Sequence, residues 1–277
     1  MTRPHLIALT ALAMLAFAGN SLLCRLALKE TGIDAASFTS VRLVSGALML
    51  WLLSARRAGP RERLAGSWAS AIALFVYAEA FSFAYLSLPA GTGALLLFAS
   101  VQISMIGFGL YRGERFTPWQ VTGLVLAFAG LVFLLRPGLS APPWQSALLM
   151  IASGVAWAVY SLRAKGAGDP TRVTTGNFVR AAPIAIVISA FMLPSMHWDF
   201  RGICYALASG ALTSALGYII WYAAVRELKM TSAATVQLSV PVLAAFGGVL
   251  FLGEVAELRL VVASVLVLGG VAMVLKR

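Results

Sequence analysis

Charge is scarce in this sequence. Only 11% of the 277 residues are Asp, Glu, Lys or Arg, against about a quarter in soluble globular domains. An ordinary water-facing surface is therefore excluded over most of the chain. Cysteine is nearly absent: Cys24 and Cys204 stand alone, each in or at the edge of an apolar stretch. Free thiols are expected, with no disulfide or metal framework. The two histidines, His5 and His197, have no HExxH-like spacing. No GxxxxGK[ST] loop occurs, which argues against a built-in ATPase. The apolar runs do not alternate with polar residues, as strands of a membrane barrel would.

Long apolar runs are what the sequence does have. Hydrophobic residues make up 60% of it. A run of about 18 or more apolar residues reads as a membrane helix, since roughly 20 helical residues cross about 30 Å of hydrocarbon. Helices satisfy every backbone polar group internally, as the bilayer requires. The expected fold is all-α and integral to the membrane, with ten spans near 6–28, 35–54, 68–87, 91–111, 118–135, 144–164, 173–193, 202–225, 231–252 and 258–275. Turn signals at "RRAGPRER", "LPAG", "RPGLSAPP" and "KGAGDP" separate them, and no soluble domain fits between. The first span resembles a signal peptide in its Arg3, apolar run and "AFAG" at 16–19. It is read as a span because the run continues past Gly19 and has a counterpart later in the chain.

The net charge of +11 raises nucleic acid as a partner, but its distribution excludes that reading. With the N-terminus cytoplasmic, the inner segments hold Arg3, Arg56, Arg57, Arg61, Arg63, Arg112, Arg115, Arg163, Lys165, Arg172, Arg226, Lys229, Lys276 and Arg277. The outer loops hold Arg25, Lys29, Arg136, Arg201 and Arg259. That asymmetry follows the positive-inside rule. It puts both termini in the cytoplasm and supports an even number of spans.

The chain also overlays itself at an offset of 140 residues. "GERFTPWQVTGLVLAFAGLVFLL" (113–135) lies over "GEVAELRLVVASVLVLGGVAMVL" (253–275), matching Gly113 to Gly253, Glu114 to Glu254 and Gly130 to Gly270. "AFAGNSL" (16–22) lies over "AWAVYSL" (156–162). Two repeats follow, 1–138 and 139–277, with five helices each. An odd number turns the second repeat upside down relative to the first. Inverted repeats are an architecture in which a ligand site forms near the midplane, at the repeat interface. Glu114 and Glu254 precede the last helix of each repeat, so helix-end electrostatics, loop pairing or gating are open to them. Gly123, Ala127, Gly130, Gly269 and Gly270 permit close helix approach, within the chain or in a dimer.

Polar residues found in one repeat only are the better candidates for specific function. Glu79 sits mid-span, where an acidic residue costs about 2.5–3.5 kcal/mol and usually faces a cavity or an ionic partner. Three roles compete: a structural pair with Arg42 or Arg180, a proton-titrating group, or a contact for a substrate ammonium. Arg42 and Arg180 either snorkel to the interface or capture a carboxylate or phosphate. Trp51, Trp68, Trp119, Trp144, Trp198 and Trp221 lie near span ends, as an aromatic belt does, whereas Trp157 is central. Ser153, Trp157 and Tyr160 share one helical face, as do Ser214, Tyr218 and Trp221. Glu79 and Ser82 share another, with Tyr85 one turn on. Such stripes serve packing or binding. Asn20, Gln102, Asn177 and Gln237, with Ser232, Thr235 and Ser239, add polar groups at span depth. Each alone suits an interhelical hydrogen bond; together they argue for a wet or substrate-filled centre. Pro241 would break a backbone bond in the ninth span and so is a hinge candidate.

These features resemble a known family. The two five-span halves, "LFLGE" (250–254) before a Gly-rich last helix, the matching "YRGE" (111–114) and the first span "AFAGNSLLCRLAL" are similar to the drug/metabolite transporter superfamily, in its EamA-type members. Size and aromatic content look like the YddG-type exporters of aromatic and neutral amino acids. The resemblance covers essentially the whole chain. It implies a prokaryotic plasma-membrane carrier working by alternating access, in which the first four helices of each half enclose the cavity and the fifth and tenth lie outside. It carries over no catalytic residues. The first-half counterpart of Pro241 is Val101, so a hinge there would be one-sided.

The expectation is a secondary transporter, not an enzyme. It would export small amphipathic metabolites, amino acids with apolar or aromatic side chains foremost, and use no bound cofactor. Its partners would be that small molecule and the lipid bilayer, with proton coupling open. Aromatic walls would hold the side chain, and one charge of each sign would meet the zwitterion. Broad-specificity efflux is the nearest alternative. A membrane enzyme would need a His, Asp or Ser cluster at one interface, and His5 and His197 fall at opposite ends of the expected topology. An assembly protein would not need a carboxylate at the midplane.

Overall fold

The computed structural model of the chain describes residues 3–55, 65–113, 117–135, 141–164, 168–192, 196–227, 236–255 and 257–275. Glu114, Ser232 and Thr235 lie outside these, as do Arg56, Arg57, Arg61, Arg63, Arg115, Arg136, Lys165, Lys229, Lys276 and Arg277. Regular structure among the described residues is helical throughout. The helices are α1 (Arg3–Glu30), α2 (Ala35–Ala55), α3 (Trp68–Ala84), α4 (Ala90–Tyr111), α5 (Pro118–Leu135), α6 (Trp144–Ala164) and α7 (Pro170–Phe191). They continue with α8 over 200–227, then α9 (Ser239–Leu252) and α10 (Leu258–Leu275). Six of the ten are long and apolar enough to cross a membrane, and α3, α5, α9 and α10 are shorter apolar helices. The 17 residues of α3 still span ~25 Å at 1.5 Å per residue.

Side-chain caps explain why several helices start where they do. Ser67 accepts the Ser70 N–H at 3.2 Å ahead of α3, Asp169 the Arg172 N–H at 2.9 Å ahead of α7, and Asp199 the Gly202 N–H at 2.9 Å ahead of α8. Each satisfies one of the orphan donors of a first turn. Asp34 does the same for α2 through the Ser37 N–H, and its other oxygen accepts the His197 N–H, both at 2.9 Å. Burial works against the Asp34 charge, but these hydrogen bonds outweigh it and hold the carboxyl below its ordinary value.

The contacts gather five connections at one end of the bundle. Asp34 joins the α1–α2 turn to the α7–α8 connection. Arg25, near the end of α1, reaches the carbonyls of Tyr85 and Leu86 and the carboxylate of Glu254. That ties in the α3–α4 and α9–α10 connections. Ser87 meets Ser146 in the first turn of α6, which brings in α5–α6. The helices therefore alternate in direction, and α6 starts at the end where α1 finishes.

Helix pairing repeats under exchange of the two halves. α3 packs on α6 as α8 packs on α1, α4 on α6 as α9 on α1, and α2 on α8 as α7 on α3; α2–α7, α4–α9 and α5–α10 pair with themselves under the exchange. The α5–α10 contact is the most extensive and lies at the periphery, since α4 is the main other neighbour of both. Small residues make it close. A Cβ on Gly130 would stand 2.8 Å from Leu266 Cβ, and one on Gly270 would meet the Gly123 carbonyl and Ala127. The glycines at these positions therefore serve packing within the chain.

The ninth span is interrupted at Leu238, between helical residues 236–237 and α9, in which Pro241 is the third residue. Pro241 has no N–H for the carbonyl four residues back, at 237, so the broken backbone bond falls where the sequence places it. A second proline, Pro183, lies inside α7. One expectation is corrected: Trp221 is misplaced by the belt pattern. Trp51, Trp68, Trp119, Trp144 and Trp198 are exposed at helix ends, but Trp221 is buried in the centre.

Candidate functional site

A chamber walled by aromatic rings lies where α1, α3, α4, α6 and α8 meet. Phe17, Asn20, Ser21, Tyr77, Phe81, Leu97, Phe98, Trp157 and Tyr218 line it. The rings are continuous. Trp157 stands 4.8 Å from Tyr77, 4.9 Å from Tyr218, 5.5 Å from Tyr160 and 6.2 Å from Phe17 between centroids. Phe17 also meets Trp221 edge-on at 5.8 Å, and Tyr218 meets Phe178 at 5.8 Å. Edge-to-face and tilted pairs of this kind contribute roughly 0.5–1.5 kcal/mol each beyond burial. The enclosed cavity is about 10 Å³, room for one water at most. The rings pack against one another and leave no space for a larger molecule.

Helical periodicity decides which residues of α3 reach it. Tyr77, Phe81 and Tyr85 are four apart and form a stack, with centroids 5.6 and 4.7 Å apart. Glu79 is two residues from Tyr77, about 200° around a helix of 3.6 residues per turn. It shares the less buried face of α3 with Ile72, Val76 and Phe83, and its neighbours are Thr39 and Asp34. Glu79 is therefore outside the chamber. Among the described residues no ion pair joins it to Arg42 or Arg180, so of its three candidate roles the structural pair is not formed in this structure. Ser82 is likewise turned toward α2, where it accepts the Thr39 hydroxyl at 2.7 Å.

The chamber's polar wall is a chain of hydrogen bonds across both halves. Arg42, 1% exposed, donates from Nε to Ser214 Oγ at 3.1 Å and from Nη2 to the Tyr77 hydroxyl at 3.2 Å. Asn20 Nδ2 donates to that same hydroxyl at 3.4 Å, and Ser209 Oγ donates to Asn20 Oδ1 at 2.7 Å. The guanidinium carbon sits 5.3 Å from the Tyr77 centroid and 5.1 Å from that of Phe81. Ser209 and Ser214 both belong to a π-helical segment of α8, Ser209–Leu216. Such segments widen the turn and recur at functional sites. α8 approaches α2 closely at this level, because a Cβ on Gly210 would collide with Ser45 Oγ and the Arg42 carbonyl.

A lid covers the chamber on the side of the α1–α2 turn. Tyr85 is fully buried above Phe81, and its hydroxyl donates to the Ala90 carbonyl at 3.2 Å. Over it, Arg25 Nη1 donates to the Tyr85 carbonyl at 2.9 Å and Nε stands 3.3 Å from Glu254 Oε1. Glu254 Oε2 accepts the Ala90 N–H at 2.8 Å, and Lys29 Nζ holds the Leu252 carbonyl at 2.8 Å. This answers the loop-pairing expectation for Glu254. Arg180 works at the opposite end, where Nη1 donates to the Ala65 and Gly176 carbonyls at 2.9 and 2.8 Å. Asn177 Oδ1 accepts the Ser67 N–H there at 3.0 Å.

Of the residues singled out in the sequence, Asn20, Trp157, Tyr160, Tyr218, Arg42 and Tyr85 come together at the chamber or its lid. Glu79, Ser82 and Arg180 do not. Gln102 and Gln237 are buried but outside the chamber lining. Phe17, Tyr77, Phe81 and Phe178 were missed, while Trp221 was placed on the Tyr218 face as well as in the belt. A signal for three of the four was present: at the 140-residue offset Phe17 lies over Trp157, Phe81 over Trp221 and Phe38 over Phe178. A larger groove of about 860 Å³ runs between α4, α9 and α10. Its walls include Val242, Phe246, Val249 and Val265, side chains that are exposed on the outside of the bundle. It is a lateral groove, separate from the chamber.

The EamA-like transporter family model matches the chain twice, over residues 5–136 and 144–276. The chain belongs to the EamA-like transporter family. Membership of this duplicated membrane family makes it a multi-pass membrane transporter. An uncharacterised protein of Pseudomonas aeruginosa is 55% identical over 267 residues, which cover 96% of this chain and 93% of that one. The threonine/homoserine exporter RhtA of Salmonella typhimurium is 32% identical over 154 residues, 54% of this chain and 51% of that one. A crystal structure 20% identical in sequence superimposes with a TM-score of 0.70 over 99% of this chain and 98% of its own. That likeness is one of fold.

Proposed function

We propose that this EamA-family transporter is a secondary carrier exporting small amphipathic metabolites, amino acids with apolar or aromatic side chains foremost. It works by alternating access in a prokaryotic plasma membrane. The observation that carries the reading is the closed aromatic chamber between the two halves. It offers flat apolar walls for a side chain and a polar edge for a head group, as small-molecule sites do. All ten helices cross the bilayer, and both termini are cytoplasmic. The alternating helix directions and the 140-residue repeat support two inverted five-helix halves, 1–138 and 139–277. The concentration of Arg and Lys on one side supports the orientation. The lid of Tyr85, Arg25 and Glu254 then faces outward and is shut. The name of RhtA, an amino-acid exporter, is consistent with the substrate class.

Counterflow in proteoliposomes tests this. Vesicles loaded with an unlabelled neutral amino acid should transiently accumulate the labelled form, and an aromatic member of the panel should compete. A broad efflux carrier would instead respond equally to cationic and uncharged drugs. Absence of counterflow for every amino acid tested would overturn the reading.

A further inference from the structure

We propose that Arg42 and Tyr218 form a carboxylate site at the chamber wall, and that the chamber therefore selects amphipathic monocarboxylates, zwitterionic amino acids included, over amines. This rests on the carrier reading for its setting, but it is a claim about binding. Arg42 is permanently charged and buried. Its partners are two neutral hydroxyls and two ring faces. Among the described residues no ion pair includes Arg42, and no carboxylate is among its hydrogen-bond partners. Burying a guanidinium without a counter-ion is unfavourable, because desolvation removes hydration that no opposite charge replaces. The two ring faces and two neutral hydroxyls lower that cost but supply no counter-charge.

The unsatisfied atoms indicate what completes the site. Nη1 of Arg42 is buried with no hydrogen-bond partner, and so is the hydroxyl of Tyr218. Buried polar atoms in native proteins are nearly always satisfied. Tyr218 lines the chamber, and the two rings beneath the Arg42 guanidinium, Tyr77 and Phe81, line it too. Arg42 stands behind the lining rings Tyr77 and Phe81 rather than in the lining itself, and its charge acts on Tyr218. A charged donor and a hydroxyl donor beside an apolar cage fit an anionic head on an apolar body. A guanidinium fork suits a carboxylate. The acid once expected to meet the ammonium of a zwitterion, Glu79, is on the far face of α3. An ammonium would meet only ring faces here, which accept a cation weakly and do not require one.

Binding to the purified protein in detergent, by isothermal titration calorimetry, tests the proposal with three probes sharing one aromatic body: phenylalanine, 3-phenylpropanoate and phenethylamine. Both carboxylates should bind, and the amine at least about tenfold more weakly. Arg42→Gln should weaken both carboxylates by about 10- to 100-fold, the equivalent of a charge-assisted hydrogen bond, and abolish the preference. Arg42→Lys should restore part of it, keeping charge without the fork. Tyr218→Phe should weaken the carboxylates and leave the amine unchanged, a readout that survives if Arg42 variants do not fold. Equal binding of the amine, failure of both carboxylates to bind, or unchanged carboxylate binding by a folded Arg42→Gln would overturn the site. Carboxylate binding without counterflow would count against the carrier reading and leave the site standing.

Discussion

Glu254 ties the α9–α10 connection to α1 and α4 by two bonds, which in the proposed carrier latch the lid, and only one of them needs its charge. Glu254→Gln keeps an amide oxygen for the Ala90 N–H but removes the anion opposite Arg25. The two side chains are 13% and 10% exposed, so the pair is largely out of water. A charge-assisted hydrogen bond there contributes about 1.5–3 kcal/mol. Arg25 keeps the Tyr85 and Leu86 carbonyls as acceptors, which places the loss at the lower end, ~1.5 kcal/mol. Because the open form lacks the latch, the closed-to-open ratio should fall about tenfold. Cys24, adjacent to Arg25, is fully buried and reports on the lid in a Cys204→Ser background. Its labelling by a membrane-impermeant thiol reagent should accelerate about tenfold in Glu254→Gln, the same factor as the shift in that ratio. An unchanged rate, in a variant that still folds, would refute the latch.

Three further outcomes follow from the geometry. Glu79→Gln should change substrate affinity by less than about twofold, the range of a substitution away from a site, as read by the same calorimetry; a tenfold loss would return Glu79 to the chamber. Gly210→Ala should lower thermal stability by about 1–3 kcal/mol, the usual cost of overpacking, because the new methyl meets the Arg42 carbonyl; unchanged melting would show that α2 and α8 can separate. Asp34 has a depressed folded-state pKa, so its contribution is present above the unfolded value of ~3.9 and is lost as pH falls through the lower folded one. The stability gap between wild type and Asp34→Asn should therefore be full at neutral pH and close below pH ~3.9; a gap that persists in acid would contradict its origin in the carboxylate.

The helix count and most helix positions among the described residues are legible from apolar run length, because a long apolar helix declares itself through continuous hydrophobicity. The fifth span, 118–135, coincides with α5. Boundaries fail where local geometry departs from a plain α-helix. The ninth span is interrupted at Leu238, between helical residues 236–237 and α9, and the π-helical turn of α8 leaves no mark in composition. The site is legible only in part, for a different reason. Hydrophobicity says that Glu79 is costly but not which way it faces. Its angle to Tyr77 settles that, and both faces of α3 are apolar. Phe17 and Phe81 look like ordinary lipid-helix phenylalanines until each is set against its tryptophan in the other half. Trp221 fits a belt by position and departs from it because α8 extends past the chamber to Glu227.

The central claim is that one chamber between two inverted halves opens alternately to each side. Ser21 lines that chamber, and Ser21→Cys, in a background with Cys24 and Cys204 replaced by serine, places one small thiol in it. The account predicts labelling by an impermeant reagent from both faces of the membrane, and protection from either face by a bound amino acid. Labelling confined to one face, or unaffected by any amino acid, would contradict it.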